Sequence, residues 1–235
     1  MRPASALGTI VGYDRPGPNS ATTFAVSREN HISNAAPYSR APSDKAPMRI
    51  ILVRHGQPAI ALSPRTTHHG FRDYIDAYEA AGLDPDSLPP EELKDLVGEL
   101  SHVFASDRPR SADSARALAP GAALNIDPLF AEAPLAPPRL PLLTMAVPKW
   151  AVFARILWHV GYSPRIENAR KARERAAAAA DILTARARET GTAVLVAHGY
   201  FNFMIGRELR RRGFLRTGSH RARYWNTVMY EGTSA

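Results

Sequence analysis

Three short apolar runs constrain this chain more than any other feature: RIILV at 49–53, HVFAS at 102–106 and TAVLVA at 192–197. The first and last are continuous, without polar alternation, so each reads as a strand covered on both faces. Helical patterns stand between them. FRDYIDAYEAAG places Phe71, Tyr74, Ile75 and Tyr78 on one helical face and stops at Gly82. PPEELKDLVGEL opens with prolines and acids, as helix N-termini do, and then spaces Leu93, Leu96, Val97 and Leu100 helically. PRSADSARALAPG reads as a helix closed by Gly121, WAVFARILWHVG as one ending at Gly161, and YFNFMIGRELRRRG as another. Asn168 is positioned to cap a long alanine-rich helix running to Gly191. RYWNTVMYE reads as a last strand. Strands alternating with helices predict an α/β fold, a three-layer sandwich with a mainly parallel central sheet and helices on both faces.

Length and composition bound the rest. A chain of 235 residues, 45% of them apolar, builds one domain with a full core and is not disordered throughout. Residues 1–46 depart from this pattern. RPGPNSATTF and SNAAPYSRAPSDKAP are rich in Pro, Ser, Ala and Asn, and a flexible N-terminal extension is expected there, with the α/β domain over 47–235. With no cysteine, disulfides, thiolate metal sites and a cysteine nucleophile are excluded, which fits a reducing, cytoplasmic setting. No stretch approaches the roughly 18 apolar residues of a membrane helix, and MRPASALGTIVGY is a poor signal peptide. The net charge of +8 is mostly arginine, densest from Arg207 to Arg223. With no nucleic-acid motif beside it, that stretch reads as the solvated face of a helix rather than a DNA or RNA surface.

The strand ends carry the chemistry. The first run ends in Arg54-His55-Gly56, the second in Ser106-Asp107 followed by Arg108 and Arg110, the third in His198-Gly199 with a helix directly after. In parallel sheets the site lies beyond the carboxyl ends of the strands. Parallel neighbours therefore bring two imidazoles, at least two guanidiniums and a helix N-terminus into one pocket. Helix N-termini favour anions and guanidiniums fork phosphate oxygens, so the guest that fits is a phosphoryl group. A neutral histidine can attack phosphorus while the cations stabilise the transition state. The glycine after each histidine is expected to leave room for the ligand.

LVRHGQP, ASDRPRSADSARAL, LFAEAP and LVAHGYFN, in that order, resemble the motifs of the histidine phosphatase superfamily, also called phosphoglycerate mutase-like. The likeness spans about residues 48–230. It implies that His55 is the nucleophile that becomes phosphohistidine, and that Arg54, Arg110 and His198 hold the phosphate. It also implies that Glu132 protonates the leaving oxygen and then activates water. Gln57 and Gly199 are further candidate contacts. Glu132 is the sole carboxylate between Asp127 and Glu167.

The resemblance implies a phosphoric monoester hydrolase acting on a small phosphorylated substrate. The alternatives are phosphoglycerate mutase-type phosphoryl transfer and a non-catalytic module that binds anions or nucleic acid. Family mutases follow their acid with a glycine-containing loop; here APLAPPRLP follows Glu132 with no glycine, which favours the phosphatase. The full set of histidines, arginines and an acid argues against a binding module. No metal and no cofactor are expected, since the site supplies its own positive charge; His68-His69 are adjacent and poorly spaced for a metal. Specificity is expected from the helices between Phe71 and Leu100 and from Pro134 to Tyr162, and the sequence carries no signal for an oligomeric state.

Overall fold

The computed structural model describes residues 47–61, 65–98 and 100–233. The expected N-terminal extension lies outside the described residues. In chain order the elements are β1 (Pro47–Arg54), α1 (His68–Ala80), α2 (Glu91–Val97), β2 (His102–Ser106), α3 (Pro109–Leu118), β3 (Ala123–Asp127), a 3-10 turn (Pro128–Phe130), α4 (Val147–His159), α5 (Ala169–Thr190), β4 (Thr192–Ala197), α6 (Gly199–Arg211), β5 (Leu215–Thr217) and β6 (Thr227–Thr233).

The six strands form one sheet in the order β3-β2-β4-β1-β6-β5. The pairs β3/β2, β2/β4 and β4/β1 are parallel, while β6 runs antiparallel to both β1 and β5. The predicted α/β sandwich is therefore the observed one. Alternate residues of β1 serve opposite layers, as the pleat requires. Ile50 and Leu52 pack with Ala176, Ala180 and Leu183 of α5 and Phe201 and Ile205 of α6. Ile51 and Val53 pack with Leu93 and Val97 of α2 and Ala115 and Leu118 of α3. The continuous apolar run follows from this: from Ile50 to Val53 neither face of β1 meets water.

Local chemistry explains the longer elements. Asn168 caps α5, its side chain accepting from the N–H groups of Arg170 and Lys171, and Gly191 ends the helix in the left-handed region at φ 78°. Small residues on the buried side of α5 (Ala172, Ala176, Ala179, Ala180, Ala187) let it lie close to the sheet. Helices α1 and α4 form a separate cluster built on Phe71 and Trp150, whose rings stack 5.8 Å apart. No helix among the described residues is long and apolar enough to cross a membrane.

Three strands depart from expectation. Neither β3 nor β5 carries an apolar run that would mark it in the sequence: β3 is exposed or half-buried throughout and β5 wholly exposed. The last strand begins at Thr227 rather than Arg223, because Trp225 sits at φ +56° and breaks the extended backbone.

Candidate active site

Register alone assembles the site. Arg54 pairs with Ala197, and Ala105 with Val196, so Arg54, Ala197 and Ser106 form one row across β1, β4 and β2. The next residues, His55 and His198, project past that row. Their rings lie 5.2 Å apart at 64°.

Helix α3 can approach this row because its inner face is small. Ser111 donates to the carbonyl of Val196 at 2.6 Å. Ser114 accepts from the N–H of Gly56 at 2.9 Å and donates to the carbonyl of Arg110 at 2.6 Å. This close seating carries Arg110 into the interior, where it is fully buried. Its Nε lies 3.4 Å from His55 Nε2, and Nη2 lies 3.3 Å from His198 Nδ1 and 3.0 Å from the Glu79 carboxylate. Its Nη1 donates to the carbonyl of Tyr78 at 2.7 Å. Five donors on one planar group reach α1 and both histidines at once, which an ammonium could not do.

The hydrogen bonds assign the tautomers. His55 Nδ1 is 2.7 Å from the carbonyl of Gly56, which has no proton to give, so Nδ1 carries the hydrogen. Nε2 then holds the lone pair and faces two donors, Arg110 Nε and the Tyr78 hydroxyl at 3.4 Å. His198 accepts from Arg110 at Nδ1, so its Nε2 donates to Ser106 Oγ at 2.9 Å. Both rings are neutral at ordinary pH. His55 is pushed down to about 3, chiefly by burial and then by the charge of Arg110, with Arg54 a smaller contributor. The neighbouring cations add to the effect of burial, which is the larger cause. His198 is held well below the ordinary histidine range, again mainly by burial, then by His55 and Arg110.

Arg54 is half-buried and lies against the start of α6; a Cβ on Gly199 would stand 3.3 Å from its Cδ. Among the described residues the Arg54 Nε is buried without a hydrogen-bond partner. A buried orphan donor at the end of a strand, beside a helix N-terminus, is the kind of group an anion satisfies.

The two glycines turn out to serve the protein's own packing. A Cβ on Gly56 would meet Leu83 Cδ1 at 2.5 Å and the Trp225 ring at 2.6 Å, and one on Gly199 would crowd Arg54. On the side where a Cβ would stand, each glycine thus meets side chains rather than open space. Gln57 is exposed, and it is its main chain that is anchored: the N–H donates to Ser87 Oγ and the carbonyl accepts from Asp84, both at 2.8 Å. Among the described residues its side chain makes no hydrogen bond in the cup. Asn202 is buried and donates to the carbonyl of Val53 at 3.0 Å, a packing role.

Glu132 lies at the same end of the sheet but is held differently from the others. Its carboxylate accepts from the N–H groups of Phe201 at 2.9 Å and Tyr200 at 3.3 Å, and from Ala133 at 2.9 Å. It thereby caps α6, whose N-cap residue, His198, supplies no side-chain cap. Arg155 of α4 secures this segment by donating to the carbonyls of Ala133 at 2.7 Å and Pro134 at 3.3 Å. Among the described residues Glu132 makes no hydrogen bond to His55, Arg54 or Arg110.

Three groups in the site carried weaker sequence signals. Tyr78 was placed on the inner face of its helix, without indication that this face ends over a histidine; Arg110 lies under its ring at 4.3 Å. The pattern RYWNTVMYE places Tyr224 in a strand, yet it stands in the loop before β6 with its ring 6.0 Å from His55 and Arg54 beneath it at 4.8 Å. Glu79 bridges Arg110 and Arg108, and no motif marks it. Among the described residues no cluster of three or more metal-ligating side chains occurs.

No family model matches the chain, and no curated protein matches it significantly in sequence. Several solved structures are similar in fold. A phosphoserine phosphatase from Entamoeba histolytica is 13% identical, with 80% of this chain and 95% of that one covered and a TM-score of 0.49. A mycobacterial glucosyl-3-phosphoglycerate phosphatase is 19% identical over 70% of this chain and 80% of its own, with a TM-score of 0.47. The ecdysone phosphate phosphatase of Bombyx mori is 13% identical over 80% and 92%, also at 0.47.

Proposed function

We propose that this protein is a histidine phosphatase that hydrolyses a phosphate monoester through a phosphohistidine intermediate on His55. The observation that carries the reading is the state of His55. Its Nδ1 hydrogen is tied to the Gly56 carbonyl, and its Nε2 lone pair faces Arg110, 5.2 Å ring to ring from a second neutral histidine.

In the proposed cycle the lone pair of His55 Nε2 attacks phosphorus and the bond from phosphorus to the ester oxygen breaks. Arg54, Arg110 and His198 hold the phosphoryl oxygens and stabilise the charge they gain in the transition state. The leaving oxygen takes a proton from Glu132, for which one of that carboxylate's present N–H bonds must give way. Its seat on the first turn of α6, directly after His198 and Gly199, supports this role. Water then attacks the phosphohistidine and gives its proton to Glu132. The P–N bond breaks, inorganic phosphate leaves, and His55 returns to its neutral form. The glycine-free segment after Glu132 supports hydrolysis over mutase-type transfer.

The test is turnover of p-nitrophenyl phosphate by wild type and by His55→Ala, joined to acid and alkaline quench of the wild-type reaction. The variant is expected to lose ~10^3-fold or more in kcat. The wild-type phosphoprotein should be labile in acid and stable in alkali. Retained turnover in His55→Ala, or an acid-stable phosphoprotein, would overturn the assignment.

A further inference from the structure

Three tyrosines stand around the candidate phosphate cup, and the proposed hydrolysis makes no use of them. Tyr74 and Tyr78 are one turn apart on α1, with ring centroids 5.7 Å apart and a tilt of 32°. Tyr224 comes from the loop before β6. The rings of Tyr78 and Tyr224 lie 6.2 Å and 6.0 Å from that of His55. All three side chains are half-buried, with part of each left open. The backbone gives up a regular strand to present Tyr224. Its neighbour Trp225 is held at φ +56°, a region bulky residues avoid, and is pinned by its indole N–H to Ser87 Oγ at 3.1 Å.

The charges at this rim point the same way. Arg108, the nearest cation beyond Arg54 and Arg110 in the strand-end motifs, is ion-paired with Glu79 at 2.8 Å and lies 3.8 Å from Asp107. A second carboxylate or phosphate on the substrate would there meet the charges of Glu79 and Asp107 beside the cation. A flat π-system would instead meet ring edges and the faces that Arg110 and Arg54 leave uncovered on Tyr78 and Tyr224.

We propose that the substrates of this site are phosphate esters whose alcohol carries an aromatic ring within one or two carbons of the ester oxygen, held by Tyr74, Tyr78 and Tyr224. This rests on the hydrolase reading above. The phosphoryl enters the cup and the substrate's ring stacks in the collar, so selection falls on the leaving alcohol.

Because aryl phosphates leave faster for chemical reasons alone, the test compares alkyl esters of similar leaving ability: 2-phenylethyl phosphate against propyl phosphate. The kcat/KM ratio is expected to favour the phenylethyl ester by about tenfold or more in wild type, the scale of one or two aromatic contacts. That ratio should fall several-fold in Tyr74→Ala and in Tyr224→Leu and be kept in Tyr74→Phe. A wild-type ratio near one, or a ratio unmoved by Tyr74→Ala and Tyr224→Leu, overturns this inference while leaving the hydrolase reading standing. No turnover of either ester, or of p-nitrophenyl phosphate, overturns both.

Discussion

At the scale of single residues, the site depends on which nitrogen holds a proton. Gly56 supplies a carbonyl to His55 Nδ1, and burial with Arg110 beside it keeps the ring neutral. A nucleophilic histidine must be unprotonated, so activity on the acid side is limited where His55 itself titrates. The rate profile of kcat/KM is therefore expected to show no break at the ordinary histidine value of about 6.5. The acid-side fall should come instead toward the value of about 3 at which His55 titrates. A pH–rate series with an aryl phosphate checks this; a break near the ordinary value would show that a different, solvated group controls the step. The motif around His55 was legible because it lies next to a strand in sequence. Tyr224 was not, because nothing local tells a tyrosine whether the chain beyond it will bend over a histidine far away in sequence.

At the scale of elements, α6 and α3 do the positioning. Glu132 caps α6 from outside the helix, and a lost cap costs ~0.5–2 kcal/mol. The variant Glu132→Gln separates capping from proton transfer. As proton donor, Glu132 should matter most when the leaving oxygen is a poor one. The kcat for an alkyl phosphate is expected to fall ~10^2-fold or more, while p-nitrophenyl phosphate, which needs little protonation, loses far less. Equal losses on both esters together with a lowered Tm would leave Glu132 as a cap alone. The small inner face of α3 was readable as a helix in PRSADSARAL, but Ser111 and Ser114 hydrogen-bond to residues 85 and 58 positions away in sequence, which no helical period encodes. The short strands β3 and β5 escaped because exposed edge strands need no apolar run; their partners in the sheet hold them.

At the scale of the whole molecule, the fold buries several histidines in neutral form. His55 is driven down to about 3 and His220 to about 4, in both cases first by burial, and His198 lies well below the ordinary value. Each ring binds its proton more readily in the unfolded chain, at about 6.5, than in the fold. Their contribution is thus complete above that value and is lost as pH falls through it toward the folded values. The Tm is expected to drop steadily below about pH 6; a Tm flat down to pH ~4 would contradict the neutral assignment. In the proposed mechanism Arg54 and Arg110 supply the charge that a divalent ion would otherwise bring, so turnover is expected to persist in excess chelator. Complete loss, restored by a divalent ion, would contradict that. By itself the sequence determined the layered α/β class, the main strands and their order along the chain, and the polar residues that end them. These are local properties: apolar runs, helical periods and end signals act within a few residues. Only the tertiary structure decided that β1 lies between β4 and β6, and that Glu132 sits on the start of α6. The same is true of the tyrosines meeting over His55. Those contacts join segments far apart along the chain, and their geometry exists only once the sheet has chosen its order and register.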